Sequence, residues 1–180
     1  MTASPTERST GESESLITRA AKILLIAGVA LFYTLVVFNN LTDFDSNYQF
    51  VHHVLSMDST FPGNHCLWRA ISSPTIHLAF YLSIIAWEFA TMVLLWVSVA
   101  RLAHACRGQV TAFNAAKRTS IIALTMSLLM WLVAFLSVGA EWFLMWQSHT
   151  WNGQDAAFRM FTVVGIVLLI LIQPETEGQP

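Results

Sequence analysis

Charged residues are scarce in this chain. Asp, Glu, Lys and Arg make up 11% of its 180 residues, against about 25% in an ordinary soluble domain, whereas 55% of the residues are hydrophobic. Such a chain lacks the polar surface that a globule needs in water, so its composition indicates a membrane protein. With a formal net charge of -2, it also lacks the basic face that nucleic acid requires, and we expect no nucleic-acid partner.

The motifs of common soluble enzymes are missing as well. There is no G-x-S-x-G, no glycine-rich phosphate loop and no H-E-x-x-H, which argues against hydrolase, kinase and metalloprotease activities. The two cysteines, Cys66 and Cys106, form neither a CxxC nor a CxxCH pair, so a thiol redox pair and covalent haem lack support. We therefore predict no enzyme, no catalytic residue and no cofactor.

The few charges divide the chain into four apolar stretches. Each gap can hold the ~20 residues that cross a ~30 Å hydrocarbon core. We predict an all-α membrane protein, a four-transmembrane-helix bundle whose long outer first loop contains an interfacial amphipathic helix. The predicted helices span about 21–40, 74–100, 118–146 and 156–173, with an outer loop over 41–73 and an inner loop over 101–117. The membrane domain covers 19–173, and the polar tails 1–18 and 174–180 are expected to be disordered.

The distribution of cations predicts the orientation. Seven of the nine Lys and Arg residues precede the first predicted helix or lie around the inner loop, namely Arg8, Arg19, Lys22, Arg101, Arg107, Lys117 and Arg118. Cytoplasmic loops carry such an excess, so we expect both termini to be cytoplasmic. Cys66 and Cys106 would then lie on opposite sides of the bilayer, which excludes an intrachain disulfide.

The outer loop has the periodicity of a helix. Phe44, Tyr48, Val51 and Leu55 recur at helical spacing, which predicts an amphipathic helix at the membrane surface. Aromatic, basic and acidic residues of this loop form a candidate surface for a partner or a ligand: Phe44, Tyr48, Phe50, His52, His53, Asp58, Phe61, Trp68 and Arg69.

Glu88 is the strongest candidate for a functional residue within the membrane. It lies near the middle of the second apolar stretch, where a charge costs roughly 2.5 to 3.5 kcal/mol on insertion scales. On a helix it shares a face with His77, Tyr81 and Thr91, and a weakly polar face of the third helix that ends at Glu141 would pack against it. We take Glu88, His77, Tyr81, Thr91 and Glu141 as an intramembrane polar site.

Two interpretations of this site are open. In the first, it is a half-membrane path for protons or cations from the outer surface. In the second, Glu88 hydrogen-bonds a neighbouring helix and fixes helix register. Nothing polar continues from Glu88 toward the cytoplasmic side.

The histidines of the outer half form an alternative candidate site. His52, His53 and His65 could bind a metal ion or a haem, but their spacing matches no metal motif, and adjacent histidines should point to different faces. We therefore predict no metal site and keep these three residues as an alternative.

Several segments resemble a known family. They are Asn40-Leu41-Thr42-Asp43, Asn47, the run from Phe50 to Asp58, Thr60-Phe61-Pro62-Gly63 and Trp68-Arg69-Ala70-Ile71. The chain resembles a bacterial family of predicted small integral membrane proteins that carry a domain of unknown function. The resemblance implies a location in the bacterial inner membrane, and it implies no activity, substrate or catalytic residue.

Two functional hypotheses follow. The first is an accessory or assembly subunit that binds another membrane protein within the lipid bilayer. The alternative is a homo-oligomeric transporter or channel for protons, cations or a small solute, with Glu88 on its pathway.

Overall fold

The computed structural model describes residues 5–175, and it describes side chains from residue 15 onward. Within this range the structure is all-helical, and four helices are long and apolar enough to cross a membrane. These candidate spans are Ser15–Thr42, Pro74–Ala105, Val110–Trp142 and Gln154–Ile172. The predicted class, an all-α membrane protein with four spans, is confirmed.

Five α-helices account for most of the described chain: α1 (Pro5–Thr42), α2 (Phe44–Ser56), α3 (Pro74–Ala105), α4 (Val110–Leu129) and α5 (Gln154–Ile172). Helix α4 continues without a break into a π-helical segment, Met130–Trp142, and short 3-10 helices occupy Leu67–Arg69 and Met145–Gln147. Helix α3 begins at Pro74, where the sequence predicts it, because proline suits the first turn of a helix.

Three of the four long helices, α1, α3 and α4, are longer than predicted at the end of the molecule that holds the termini. Helix α3 extends to Ala105 and α4 begins at Val110, so the predicted inner loop of 101–117 is reduced to four residues, 106–109. The cations at 101, 117 and 118 suggest the bounds of a loop, but Lys and Arg are good helix formers, and their long side chains can extend from the last turns of a helix. Likewise α1 starts at Pro5, so residues 5–18 of the predicted disordered tail are helical, while residues 1–4 and 176–180 lie outside the described residues.

The four long helices pack in the cyclic order α1, α3, α4, α5. Around their middle and the end that holds the termini, apolar side chains from all four helices form one core, which includes the fully buried Ile26, Leu95, Leu124 and Val164. A second core lies at the opposite end, which we call the α2 end, where α2 packs on α3 and the π-helical segment.

Helix α2 directs its apolar face at the protein. Val51, Val54 and Leu55 are buried against Tyr81 and against side chains from the end of the π-helical segment and the residues that follow it. A helix therefore occupies Phe44–Ser56, the stretch with helical periodicity, and α3 supplies part of the apolar surface that covers its buried face.

The π-helical segment changes the face that the third span presents. Its backbone bonds reach back five residues, as in the bond from Phe143 N to Val138 O, so the turns are wider than those of an α-helix. The periodicity that places Ser127 and Glu141 on one face therefore fails beyond Leu129. Ser127 is fully buried, whereas Ser137 and Glu141 are exposed.

Glu175 joins three helices at the end that holds the termini. Its carboxylate lies 3.2 Å from Lys117 Nζ and forms an ion pair with Lys22, and Arg19 is 4.0 Å away. Burial alone would raise the pKa of Glu175, but the hydrogen bonds from the two lysines hold that pKa below its ordinary value. These contacts place a residue of the predicted C-terminal tail in the packed structure.

Candidate functional site

Glu88 is buried at the contact between α1 and α3, and its partner is Asn40. The Asn40 Nδ2 donates to Glu88 Oε2 over 2.6 Å, and Glu88 is 4% exposed. The Tyr81 hydroxyl donates to the side-chain and main-chain oxygens of Asn40, at 3.2 and 3.3 Å. The Asn40 side-chain amide thus donates to Glu88 and accepts from Tyr81, which links two polar residues of α3 to α1.

Glu88 lies near the middle of α3, but it contacts the end of α1. It is about 21 Å along α3 from Pro74, at 1.5 Å per residue, which is close to the middle of that helix. However, its partner Asn40 lies in the last turn of α1, within about 5 Å of the acidic residue Asp43. Glu88 therefore lies beside the end of α1, and α2 covers this end of the protein.

The other members of the predicted polar site have separate partners. His77 is fully buried and contacts His52 of α2, whereas the Thr91 hydroxyl donates to the carbonyl of Trp87, on its own helix. Glu141 is exposed and takes no part in the site, because the wider turns of the π-helical segment rotate it away. The structure brings together Tyr81 and Glu88 through Asn40, and it separates them from Glu141.

Below Glu88, toward the end that holds the termini, the described side chains on this face of α3 offer no polar route. The Ser98 hydroxyl donates to the carbonyl of Leu94, as Thr91 does to Trp87, so both hydroxyls are satisfied within α3. Leu95 and Leu102 are completely buried in the apolar core. The arrangement around Glu88 can hold two helices in register. The buried hydroxyls of Tyr33 on α1 and Ser127 on α4 hydrogen-bond each other over 2.7 Å.

An apolar groove lies between α3 and the π-helical segment, with α2 above it. Its volume is about 410 Å³, and its lining includes Phe80, Ile84 and Trp87 on one wall and Val133 and Ala134 on the other. The indole of Trp87 donates to the carbonyl of Met126, which fixes this ring at the edge of the groove. The groove is thus suited to apolar groups that approach from the side of the helices.

The predicted outer-loop surface divides into two sets. Phe44 and Tyr48 pack against Tyr81, with ring centroids 4.7 and 6.2 Å away, and Phe50 stacks on Phe135. These three rings stabilise α2 on the protein. The second set stays at the surface: Phe61 and Trp68 are 48% and 72% exposed, and Arg69 lies over the rings of Trp68 and Trp142.

Histidines of the α2 end meet in a cluster that contains two of the three residues of the alternative metal site. The Nδ1 atoms of His52 and His77 are 2.9 Å apart, and His53 Nδ1 is 2.7 Å from Asp58 Oδ2. The rings of His52 and His53 are in edge contact, because neighbouring residues on a helix diverge by only about 100°. His65, the third histidine of the predicted alternative, is exposed and does not belong to this group.

Sequence reasoning missed Asn40 as a site residue. The available signal was an amide at the end of an apolar run, in a helix that must pack against another helix with a buried carboxyl group. Its pairing with Glu88 depends on the relative heights of α1 and α3, which the loops and α2 determine.

Comparison with known proteins gives one positive result. No curated protein and no solved structure matches the chain. A family model matches residues 18–174, which include all four candidate spans except the first three residues of the first. The chain belongs to the family described as "Predicted small integral membrane protein (DUF2165)".

Proposed function

We propose that this protein is an accessory or assembly subunit that binds a transmembrane helix of another membrane protein in its apolar groove. The groove, between α3 and the π-helical segment, is the observation that carries the proposal. Its only side-chain hydroxyl belongs to Ser83, which donates to the carbonyl of Phe80 on its own helix. Recognition there would therefore depend on shape and apolar contact.

The lining of the groove favours a helix as the occupant. Helices associate in a bilayer by close packing rather than by a hydrophobic driving force, and small residues at the contact let two backbones approach. Ala134 and Gly139 supply such small residues on one wall, whereas Phe80 and Trp87 form a bulky edge on the other. A large apolar side chain of a partner helix would fit between them.

The alternative, a path for protons, cations or a small solute through Glu88, has less support. Glu88 is paired with Asn40, and below it Leu95 and Leu102 fill the interior. Of the buried hydroxyls described toward the end that holds the termini, those of Thr91 and Ser98 donate to carbonyls of α3, and those of Tyr33 and Ser127 bond each other. A path would need polar groups that connect to Glu88. We propose instead that Glu88 and Asn40 hold α1 and α3 in the register that forms the α2 end.

We also propose an orientation in which the end that holds the termini faces the cytoplasm. Arg19, Lys22, Arg101 and Lys117 gather at that end, and the positive-inside rule relates such an excess to the cytoplasmic side. The proposed location is the bacterial inner membrane.

Photo-crosslinking in intact membranes tests the groove. A photoreactive amino acid replaces Val133 in the groove, and a matched control replaces Leu169, an exposed residue of α5. The proposal expects one defined membrane protein to be linked from position 133 and not from position 169. Links to lipid alone at both positions, or a covalent dimer of this chain, would contradict it.

A substitution that fills the groove gives a second test. Ala134→Trp should reduce the crosslink from position 133 at least tenfold, since the indole occupies the space that the partner needs. Ala100→Trp, at an exposed position of α3, is the control and should leave the crosslink unchanged. For the transport alternative, Glu88→Gln is measured in proteoliposomes, where a loss of proton or cation flux would reverse the ranking.

A further inference from the structure

We propose that His52, His53 and Asp58 bind a divalent transition-metal ion of the zinc class, with His77 as a positioning residue. These residues lie at the α2 end and do not line the groove. One ligand atom from each of His52, His53 and Asp58 lies within 4.8 Å of the other two. Imidazole nitrogens and a carboxylate oxygen are the ligands that Zn²⁺ takes in proteins.

The chain reverses sharply to bring Asp58 back to the helix. Helix α2 ends at Ser56, and Met57 follows with a φ of 53°, in the left-handed region that non-glycine residues rarely adopt. Burial of the Met57 side chain, which is 2% exposed, stabilises this turn. As a result Asp58 Oδ2 lies 2.7 Å from His53 Nδ1, on the surface of the last turn of α2.

His77 determines which nitrogen of His52 is free. His77 Nε2 lies 2.7 Å from the carbonyl oxygen of Ile71, which can only accept, so Nε2 carries the proton and Nδ1 of the neutral ring accepts. His52 Nδ1, 2.9 Å from that atom, is then the donor. The remaining nitrogen of His52, Nε2, keeps its lone pair for a metal ion.

This relay resembles the support that metal-binding histidines receive in proteins. A ligating histidine almost always donates its other ring N–H to a second group, which fixes both its tautomer and its ring orientation. For His52 that group is His77, which is completely buried and is itself held by Ile71. Both ring nitrogens of the buried His77 are therefore engaged, one by Ile71 and the other by His52, whose ring His77 orients.

His53 is held by a different contact and remains accessible. Its ring stacks on Trp151 with the centroids 4.5 Å apart and the planes 14° from parallel. His53 is partly exposed and Asp58 is exposed, so an ion can enter from the surface. Three protein ligands leave room for water in a fourth position, as in zinc sites that are not purely structural. Metal binding would displace the proton that His53 Nδ1 shares with Asp58, and this 2.7 Å contact would open to about 3.4 Å, the edge of a tetrahedron with bonds of about 2.1 Å. Any wider separation among the three ligand atoms, which reaches at most 4.8 Å, would contract to the same value.

Metal titration of the untagged full chain in nanodiscs tests the proposal. Zn²⁺ should bind in a saturable manner at one ion per chain, measured by calorimetry and by elemental analysis after dialysis. Asp58→Asn and His53→Gln should each weaken binding at least tenfold. Asp58 is exposed, so its substitution leaves folding intact, as circular dichroism will verify. The control is His65→Gln, an exposed histidine of the same loop, which should bind as the parent does.

The role of His77 has its own readout. With Co²⁺ in place of Zn²⁺, His77→Gln should shift the visible absorption bands of the bound ion and weaken binding by about 10 to 100-fold, the range for groups that orient a ligand. Absence of saturable binding, or binding that survives the double variant Asp58→Asn with His53→Gln, would overturn the assignment. An equal loss in His65→Gln would also overturn it, because it would indicate adventitious binding to surface histidines.

Discussion

Replacement of Asn40 by leucine should destabilise the protein through the contact between α1 and α3. Leucine has a similar volume but removes the donor to Glu88 Oε2 and the side-chain acceptor for the Tyr81 hydroxyl, which keeps only the main-chain oxygen of residue 40. Interhelical hydrogen bonds in membrane proteins average about 0.6 kcal/mol and reach about 1.7 kcal/mol, so the loss of two should cost about 1 to 3 kcal/mol.

A double-mutant cycle isolates the pair. Glu88→Leu removes the carboxyl group that needs Asn40, so Asn40→Leu should cost less in that background than in the parent. Replacement of both partners by apolar groups can be nearly neutral, whereas removal of one leaves a buried polar group unsatisfied. The free energy of unfolding is measured by reversible denaturation in mixed micelles, with helicity as the signal. Asn39→Leu, at the exposed neighbouring position, is the control and should change little.

Two results would refute this reasoning. Asn40→Leu could leave the free energy of unfolding unchanged within error, which would mean that the hydrogen bond contributes nothing. Alternatively, the two substitutions could be additive to within about 0.3 to 0.5 kcal/mol, as expected for independent sites, which would mean that Asn40 and Glu88 do not interact.

Three further predictions concern other parts of the structure. Tyr33→Phe removes the buried 2.7 Å hydrogen bond to the Ser127 hydroxyl and should lower the free energy of unfolding by about 0.6 to 1.7 kcal/mol in mixed micelles. The pKa of Glu175 is lower in the folded protein than in the unfolded chain, where it is about 4.3. The stability that this difference contributes is present above the unfolded pKa and is lost as the pH falls through the folded pKa. Glu175→Gln should remove this part of the pH dependence of thermal unfolding. Gly63→Ala should lower the free energy of unfolding by about 1 to 2 kcal/mol, since the φ of 79° at this position strains any residue with a Cβ.

Matched substitutions separate these effects from general damage. Tyr48→Phe also removes a phenolic hydroxyl, but one for which the described structure records no hydrogen bond, and it should be close to neutral. Gly28→Ala places a Cβ where nothing lies within 4 Å, on an exposed face of α1, and should stabilise the protein. A loss in either control as large as in its partner variant would contradict the explanation.

The sequence predicted the number of candidate spans, because crossing hydrocarbon takes about 20 apolar residues, but it misplaced the ends of α3 and α4 on the side of the termini. Pro74 begins α3 where the local signal places it, and α2 occupies the stretch with helical periodicity. The π-helical segment was not predicted, since it depends on tertiary packing rather than on a sequence period. The meeting of Asp58 with His53 was hidden for a similar reason: Met57 adopts a left-handed conformation that its residue type does not suggest.

The location of Glu88 illustrates a more general point about depth. Helix α3 has 32 residues and is about 48 Å long at 1.5 Å per residue, which exceeds a hydrocarbon core of ~30 Å by about 18 Å. Its first turns, which carry His77 and Tyr81, pack against α2 and do not project from the protein as an isolated helix. Polar residues on this half of α3 are thus surrounded by protein, with amide, imidazole and backbone partners at hand. The middle of an apolar run in sequence therefore need not be the middle of the bilayer, and for Glu88 the nearby end of α1 is the better measure.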